Sequence, residues 1–233
     1  MSAPSAIAAP HTAAFRELFM LDPAIAFLNH GSFGACPRPV FERYQAWQRE
    51  LERQPVDFLG TGRSFERRMR AARQGLAAFI GVDPDDIVYH DNSTTAINQV
   101  ARSLRLDPGD EVLGNDHEYG AVEKTWRFVT EQVGARYVRA PLGMRLADPS
   151  ALVDALWEHV TPRTRAIIVS HVTSATALTF PVKDICARAR ATGIISVVDG
   201  AHAPSYVELD VTDVGADFYA GNCHKWLCAP KGS

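Results

Sequence analysis

Apolar and charged positions in the first third of the chain are spaced for helices. Segment 64–80 sets Phe65, Met69, Leu76 and Ile80 among arginines and a glutamate. That spacing predicts an amphipathic helix with a solvated basic face, stopped at Gly81. Pro37 and Pro39 stand where prolines open helices and predict another over 40–53. A short helix is expected over 12–20, a glycine-rich loop over 27–34 and a connector over 55–62.

From residue 87 the rhythm changes to short apolar runs separated by polar loops and helical stretches. Strands are predicted at 87–90, 111–114, 136–140, 166–170, 194–198 and 218–220, with helices at 94–104, 121–133, 150–159 and 182–191. Such alternation specifies an α/β domain of three layers, a mainly parallel sheet covered on both faces. Ligands of such sheets sit beyond the carboxyl ends of the strands. The expected division is an N-terminal arm over 1–26, a loop and helices over 27–81, and the sheet domain over 82–233.

Composition and charge remove several classes of function. A chain of 233 residues that is 46% hydrophobic can bury a sizeable core. Its 24 basic and 27 acidic residues are spread along the chain and leave a formal charge of −3, so nothing electrostatic calls for nucleic acid or an anionic membrane surface. No stretch approaches the ~20 apolar residues of a membrane span, and the alanine- and proline-rich start lacks the pattern of a signal peptide. Cys36, Cys186, Cys223 and Cys228 form no CxxC pair and no zinc spacing with the histidines. No metal site is expected, and a reduced, cytoplasmic protein is.

Candidate chemistry falls at the predicted strand ends. The apolar run from Ile194 to Val198 closes on Asp199, with Gly200, Ala201 and His202 following, and Lys225 lies further on within Asn222-Cys223-His224-Lys225-Trp226. Taken singly, such residues are ordinarily a turn former and a surface cation. Together they suit pyridoxal phosphate: a carboxylate can hold the ring nitrogen protonated, and a lysine can condense with the aldehyde. Asp91-Asn92-Ser93-Thr94-Thr95 opens a helix after the first predicted strand, which makes either an ordinary N-cap or a phosphate site of amides and hydroxyls. His117 or Tyr119, in Asp116-His117-Glu118-Tyr119, offers a ring to stack on a planar cofactor, or packs and caps. Asn222 and His224 are placed to donate to a phosphate and His202 to a phenolic oxygen, with buried structural roles as the alternative for both histidines. Ser174 belongs to a hydroxyl-rich run, 170–176, which either contacts the cofactor or substrate or supplies only turn chemistry. Competing chemistries lack their motifs, since G-x-G-x-x-G, G-x-x-x-x-G-K-[ST] and G-x-S-x-G are all missing.

These residues resemble the class V aminotransferase family of fold-type I pyridoxal phosphate enzymes, which includes cysteine desulfurases, selenocysteine lyases and isopenicillin N epimerases. The most specific segments are Val197-Val198-Asp199-Gly200-Ala201-His202 and Cys223-His224-Lys225-Trp226. Leu28-Asn29-His30-Gly31-Ser32-Phe33-Gly34, Pro55-Val56-Asp57-Phe58-Leu59 and Asp116-His117-Glu118-Tyr119-Gly120-Ala121 look most like the isopenicillin N epimerase branch. The resemblance implies that Lys225 carries the cofactor, that Asp199 pairs with the ring nitrogen, and that His224 with the Thr94 and Thr95 region binds phosphate. It places Asn29, His30 and Ser32 toward an amino-acid substrate. Many relatives have glutamine at the position of His202, and the desulfurase branch often has asparagine at that of Ser174. Family members usually run on through a small C-terminal domain, so the chain is expected to be a truncated part of a homodimer. Epimerase-type chemistry at an α-carbon is the leading expectation, C–S lysis of a sulfur-containing amino acid the second, and a non-catalytic cofactor-binding fragment the third.

Overall fold

Residues 10–143 and 148–232 are described by a computed structural model. The start of the expected arm, 1–9, lies outside the described residues. The N-terminal region is helical: α1 (Pro10–Glu17), α2 (Arg38–Arg53), α3 (Pro55–Leu59) and α4 (Ser64–Ile80). The helix expected to reach residue 20 ends at Glu17. The chain there turns aside, with the Phe19 amide on Arg16 O and Phe19 bridged to Pro37. The expected connector winds into the single turn of α3, because Pro55 occupies the first helical turn, where its missing N–H costs nothing.

The sheet domain contributes α5 (Ser93–Ser103), β1 (Glu111–Asn115), α6 (Gly120–Gln132), β2 (Arg136–Ala140), α7 (Pro149–Trp157), β3 (Thr164–Ser170), α8 (Val182–Ala191), β4 (Ile195–Gly200), α9 (Val211–Val214) and β5 (Phe218–Gly221). The strands lie in the order β2-β1-β3-β4-β5, all parallel. Successive residues of a strand point to opposite faces, and this sheet uses both. Leu113, Ile167, Val169 and Val198 join α7 and α8 in one core, whereas Val112, Ala166, Ile168 and Val197 join α5 and α6 in the other. The near-continuous apolar runs read in the sequence are thus strands buried on both sides.

Residues 87–90 were expected to form a strand and do not. A strand needs a neighbour's backbone groups, and here a cavity of about 160 Å³ separates Ile87–His90 from Tyr219–Cys223. The segment is extended but unladdered, and Val88 is left 76% exposed.

Trp126 of α6 is completely buried, and its indole N–H has no partner among the described residues. Trp126→Ala should therefore cost about 3–5 kcal/mol of stability, measured by denaturant unfolding. Trp126→Phe, which keeps a smaller aromatic ring and removes the orphan donor, should cost less. At the amino-terminal rim of the sheet, Glu111 is buried but ionically satisfied, by Arg136 at 2.6 Å and Arg163 at 3.2 Å. That rim is structural, and the candidate site lies at the other end.

Candidate active site

After β1 the chain moves outward to the edge strand β2 and then crosses back over β1 to β3, so the strand order reverses direction between β1 and β3. Carboxyl ends that diverge at such a switch point leave a crevice. Here the crevice is a cavity of about 260 Å³, walled by Ser93, Thr94, Tyr119, Asp199, His202 and Lys225. Residues far apart in sequence meet there because β4 delivers Asp199, the turn after it His202, and the loop after β5 Lys225.

Asp199 is almost fully buried, and its Oδ1 accepts from the Ala201 amide at 3.0 Å. Burial raises its proton affinity, against the amide and the nearby charge of Lys225. Burial likewise lowers the affinity of Lys225, with Asp199 opposing the shift. Next to them His202 Nε2 lies 3.1 Å from Lys225 Nζ, while its Nδ1 accepts from the Trp226 indole N–H at 3.3 Å. An indole N–H only donates, so Nδ1 carries the lone pair and Nε2 the proton. Nε2–H then faces Nζ, a contact that favours the amine form of Lys225, the direction in which burial also shifts it. Burial above all, together with the charge of Lys225 whenever it is protonated, pushes His202 down to about 4, in keeping with a neutral ring.

The start of α5 forms the other end of the cavity. Asn92 caps the helix, its Oδ1 accepting from the Thr95 amide at 2.8 Å and from the Thr95 hydroxyl at 3.2 Å. Asn222 reaches across from β5, accepting from the Ser93 amide at 2.8 Å and donating to Ser93 Oγ at 3.0 Å. Thr94, between these two engaged residues, faces the cavity with His224 and Asn222. A helix start with its dipole aimed at a pocket favours an anion. Of the sequence candidates, Thr95 is spent on the cap and is not part of the wall.

The two ring candidates separate. His117 is buried away from the cavity, its Nε2 2.7 Å from Gly143 O and its edge on Phe180. Tyr119, the N-cap residue of α6, is half-exposed on the cavity wall. Ser174 and Ser32 also line the cavity, and Asn29 lines an adjoining hollow of about 220 Å³. His30 instead packs edge-on against Phe19 and Phe27, its Nδ1 accepting from the Ala35 amide. Neighbouring Thr173 and Thr176 bond to each other at 2.6 Å within the turn.

The glycines of 27–34 let this loop close over the site. A Cβ at Gly34 would collide with the carbonyl oxygens of His224 and Lys225, and one at Gly31 would come within 2.7 Å of the Trp226 ring. Sequence reading passed over Glu118 and Trp226 as site residues. Trp226 had a signal in its place beside Lys225, whereas Glu118 is revealed only by the packing of β1 against β3.

An α/β sheet whose switch point gathers a lysine amine, a buried carboxylate and a helix start defines a cofactor domain of the pyridoxal phosphate type. The chain belongs to the class V aminotransferase family, whose profile matches residues 35–233, and pyridoxal phosphate is the cofactor of that family. It is 41% identical to isopenicillin N epimerase of Streptomyces clavuligerus, over 93% of this chain and 54% of that protein. It is 32% identical to putative L-cysteine desulfhydrase 1 of Oryza sativa subsp. japonica, over 90% of this chain and 46% of that one. Its fold matches C-DES bearing glycine covalently linked to the pyridoxal phosphate cofactor, with a TM-score of 0.81, 27% identity, and coverage of 93% of this chain and 57% of the other. The chain spans about half the length of the curated relatives it matches.

Proposed function

We propose that this chain carries the cofactor half of the active site of a pyridoxal phosphate enzyme acting at the α-carbon of an amino acid, of the isopenicillin N epimerase type. The observation that carries this reading is the convergence of Asp199, Lys225 and the start of α5 on one cavity. The donor set fits the cofactor. Buried Asp199 calls for a cationic N–H, which a protonated pyridine nitrogen supplies, and Thr94 with His224 faces a phosphate. Bound there, the cofactor supplies an aldehyde that condenses with amines and a ring that takes up electrons from a bond breaking at the α-carbon. Asp199 would keep the ring nitrogen protonated, and Tyr119 on the cavity wall would offer its ring to the cofactor. Lys225 Nζ, its proton affinity lowered by burial, is the atom placed to take the α-proton, with His202 Nε2 3.1 Å from it. Asn222 fixes the phosphate helix to β5.

The epimerase reading is supported by the higher identity to that relative and by Ser174 on the cavity wall, where the desulfurase branch often has asparagine. A C–S lyase acting on a sulfur-containing amino acid is the second reading, favoured by the desulfhydrase relative. In either case the intact protein is a homodimer. Leu28, Phe33 and Phe15, which are 86%, 73% and 63% exposed, offer apolar surface for a partner to cover. All four cysteines are free thiols, in keeping with the cytoplasm.

The deciding experiment has two stages on the intact protein. Borohydride reduction after loading should fix pyridoxal phosphate on the peptide containing Lys225, and label elsewhere defeats the reading. An amino-acid panel is then scored for deuterium exchange with inversion at the α-carbon and for sulfide release. Inversion without sulfide is expected, and sulfide release installs the lyase.

A further inference from the structure

Glu118 is a fully buried carboxyl group that the proposed chemistry does not use. It sits just after β1, beside the switch point. Its Oε1 accepts from the Ser170 amide at 3.1 Å and from Asn115 Nδ2, while Oε2 lies 2.8 Å from Ser170 Oγ. Ser170 ends β3, stands in register with Asp199 of β4, and lines the cavity. A buried acid is thus connected, through one hydroxyl, to the floor on which the cofactor reading depends.

We propose that Glu118 is a positioning acid: as a neutral carboxylic acid its Oε2–H donates to Ser170 Oγ, which turns the serine hydroxyl into a donor toward the cavity beside Asp199. The inference rests on the cofactor reading above. Both N–H donors converge on Oε1, so Oε2 and the freely rotating Ser170 hydroxyl are the pair through which the proton direction reverses. If Glu118 ionises, Ser170 Oγ–H swings back to the carboxylate and the cavity loses a donor. The charged form is disfavoured above all by burial, with the charge of Asp199 from β4 adding to it, and against the hydrogen bonds from Ser170 and Asn115 these push Glu118 up to about 8. From β2 the buried phenol of Tyr137, its own proton affinity raised by burial and then by Glu118, stays neutral and adds no charge beside it. Glu111, at the start of β1 and paired with Arg136 and Arg163, shows what an acid in this sheet looks like when it is held ionised.

The test uses the intact protein labelled with 13C at the glutamate carboxyls, first without cofactor. One glutamate should titrate near 8. That resonance should vanish in Glu118→Gln and move upward by about one pH unit in Ser170→Ala, the worth of a hydrogen bond to the charged form. On loading with pyridoxal phosphate, the visible band of the wild type should shift over the same pH range and stay constant in both variants. A Glu118 resonance that is ionised down to acidic pH, or unmoved by Ser170→Ala, overturns the proposal. So does a loaded band that titrates alike in all three proteins. A protein that takes up no cofactor defeats the functional reading instead, and the cofactor-free titration still decides the Glu118 to Ser170 linkage. Should Glu118→Gln not fold, Ser170→Ala against wild type makes the same decision.

Discussion

Asp199→Asn should lower turnover of the loaded, intact protein by about 10²–10³-fold, the range for removal of one preorganised electrostatic group. Attachment of the cofactor to Lys225 should survive. The asparagine keeps the acceptor for the Ala201 amide, so the local turn is preserved while the negative charge is lost. Without that charge the ring nitrogen is not held protonated, and the electron sink weakens. Lys225, relieved of the charge that raises its proton affinity, becomes a freer amine. Borohydride labelling that persists while turnover collapses is the expected pair of results, and loss of both together contradicts the assigned role. Stability without cofactor provides a second check. The folded-state pKa of Asp199 is raised, so the native state holds more protons than the unfolded one from the ordinary aspartate range upward to the raised value. Stability therefore falls as pH rises through that window. Asp199→Asn removes this contribution, and the thermal midpoint of the variant should decline less steeply with pH. Equal slopes would mean that Asp199 does not bear the burial cost its position implies.

Much of the architecture was legible because parallel strands buried on both faces leave apolar runs in the sequence that nothing polar interrupts. The run ending at Asp199 is the clearest case, with Val197 and Val198 supplying the two cores and the carboxylate coming at the tip. The failure at 87–90 has the same physics behind it. Apolar composition can make a segment extended, but a ladder requires a partner, and the backbone of β5 lies across a cavity from this one. Within the site, Lys225, Asp199 and Thr94 meet on one cavity, and their types and spacing are what made them candidates in the sequence. Which of His117 and Tyr119 reaches that cavity could not be read, because it depends on where the chain turns after Asn115. The Asn115 side chain accepts from the His117 amide at 2.9 Å, and this tight turn precedes a buried His117 and a Tyr119 on the cavity wall. Glu118 was hidden for a similar reason, since its burial comes from β3 packing against β1 and leaves no mark in its own neighbourhood.

Lys225→Ala should abolish covalent attachment of pyridoxal phosphate and lower turnover by about 10⁴-fold, the upper range for a lost general base, with nucleophile exchange lost as well. The cavity floor stays intact, so weak non-covalent binding should remain, seen as an absorbance that borohydride does not fix to the protein. A second variant probes what sets the charge of Lys225. Condensation needs the free amine, and burial lowers the Lys225 pKa, so attachment should quicken as pH rises through that lowered value and then level off. The His202 proton on Nε2 supports the same state, because it leaves Nζ as an acceptor. That proton is placed by the indole N–H of Trp226 on Nδ1. Trp226→Phe retains an aromatic ring against Tyr206, at present 5.4 Å away, but frees Nδ1 to take the proton. Nε2 then becomes an acceptor, the ammonium form of Lys225 gains a partner, and the pH midpoint for attachment should rise by about one unit. Stopped-flow measurement of cofactor attachment against pH gives the answer. A midpoint that stays in place in Trp226→Phe, with the ring still packed, would show that the tautomer of His202 does not govern the charge of Lys225.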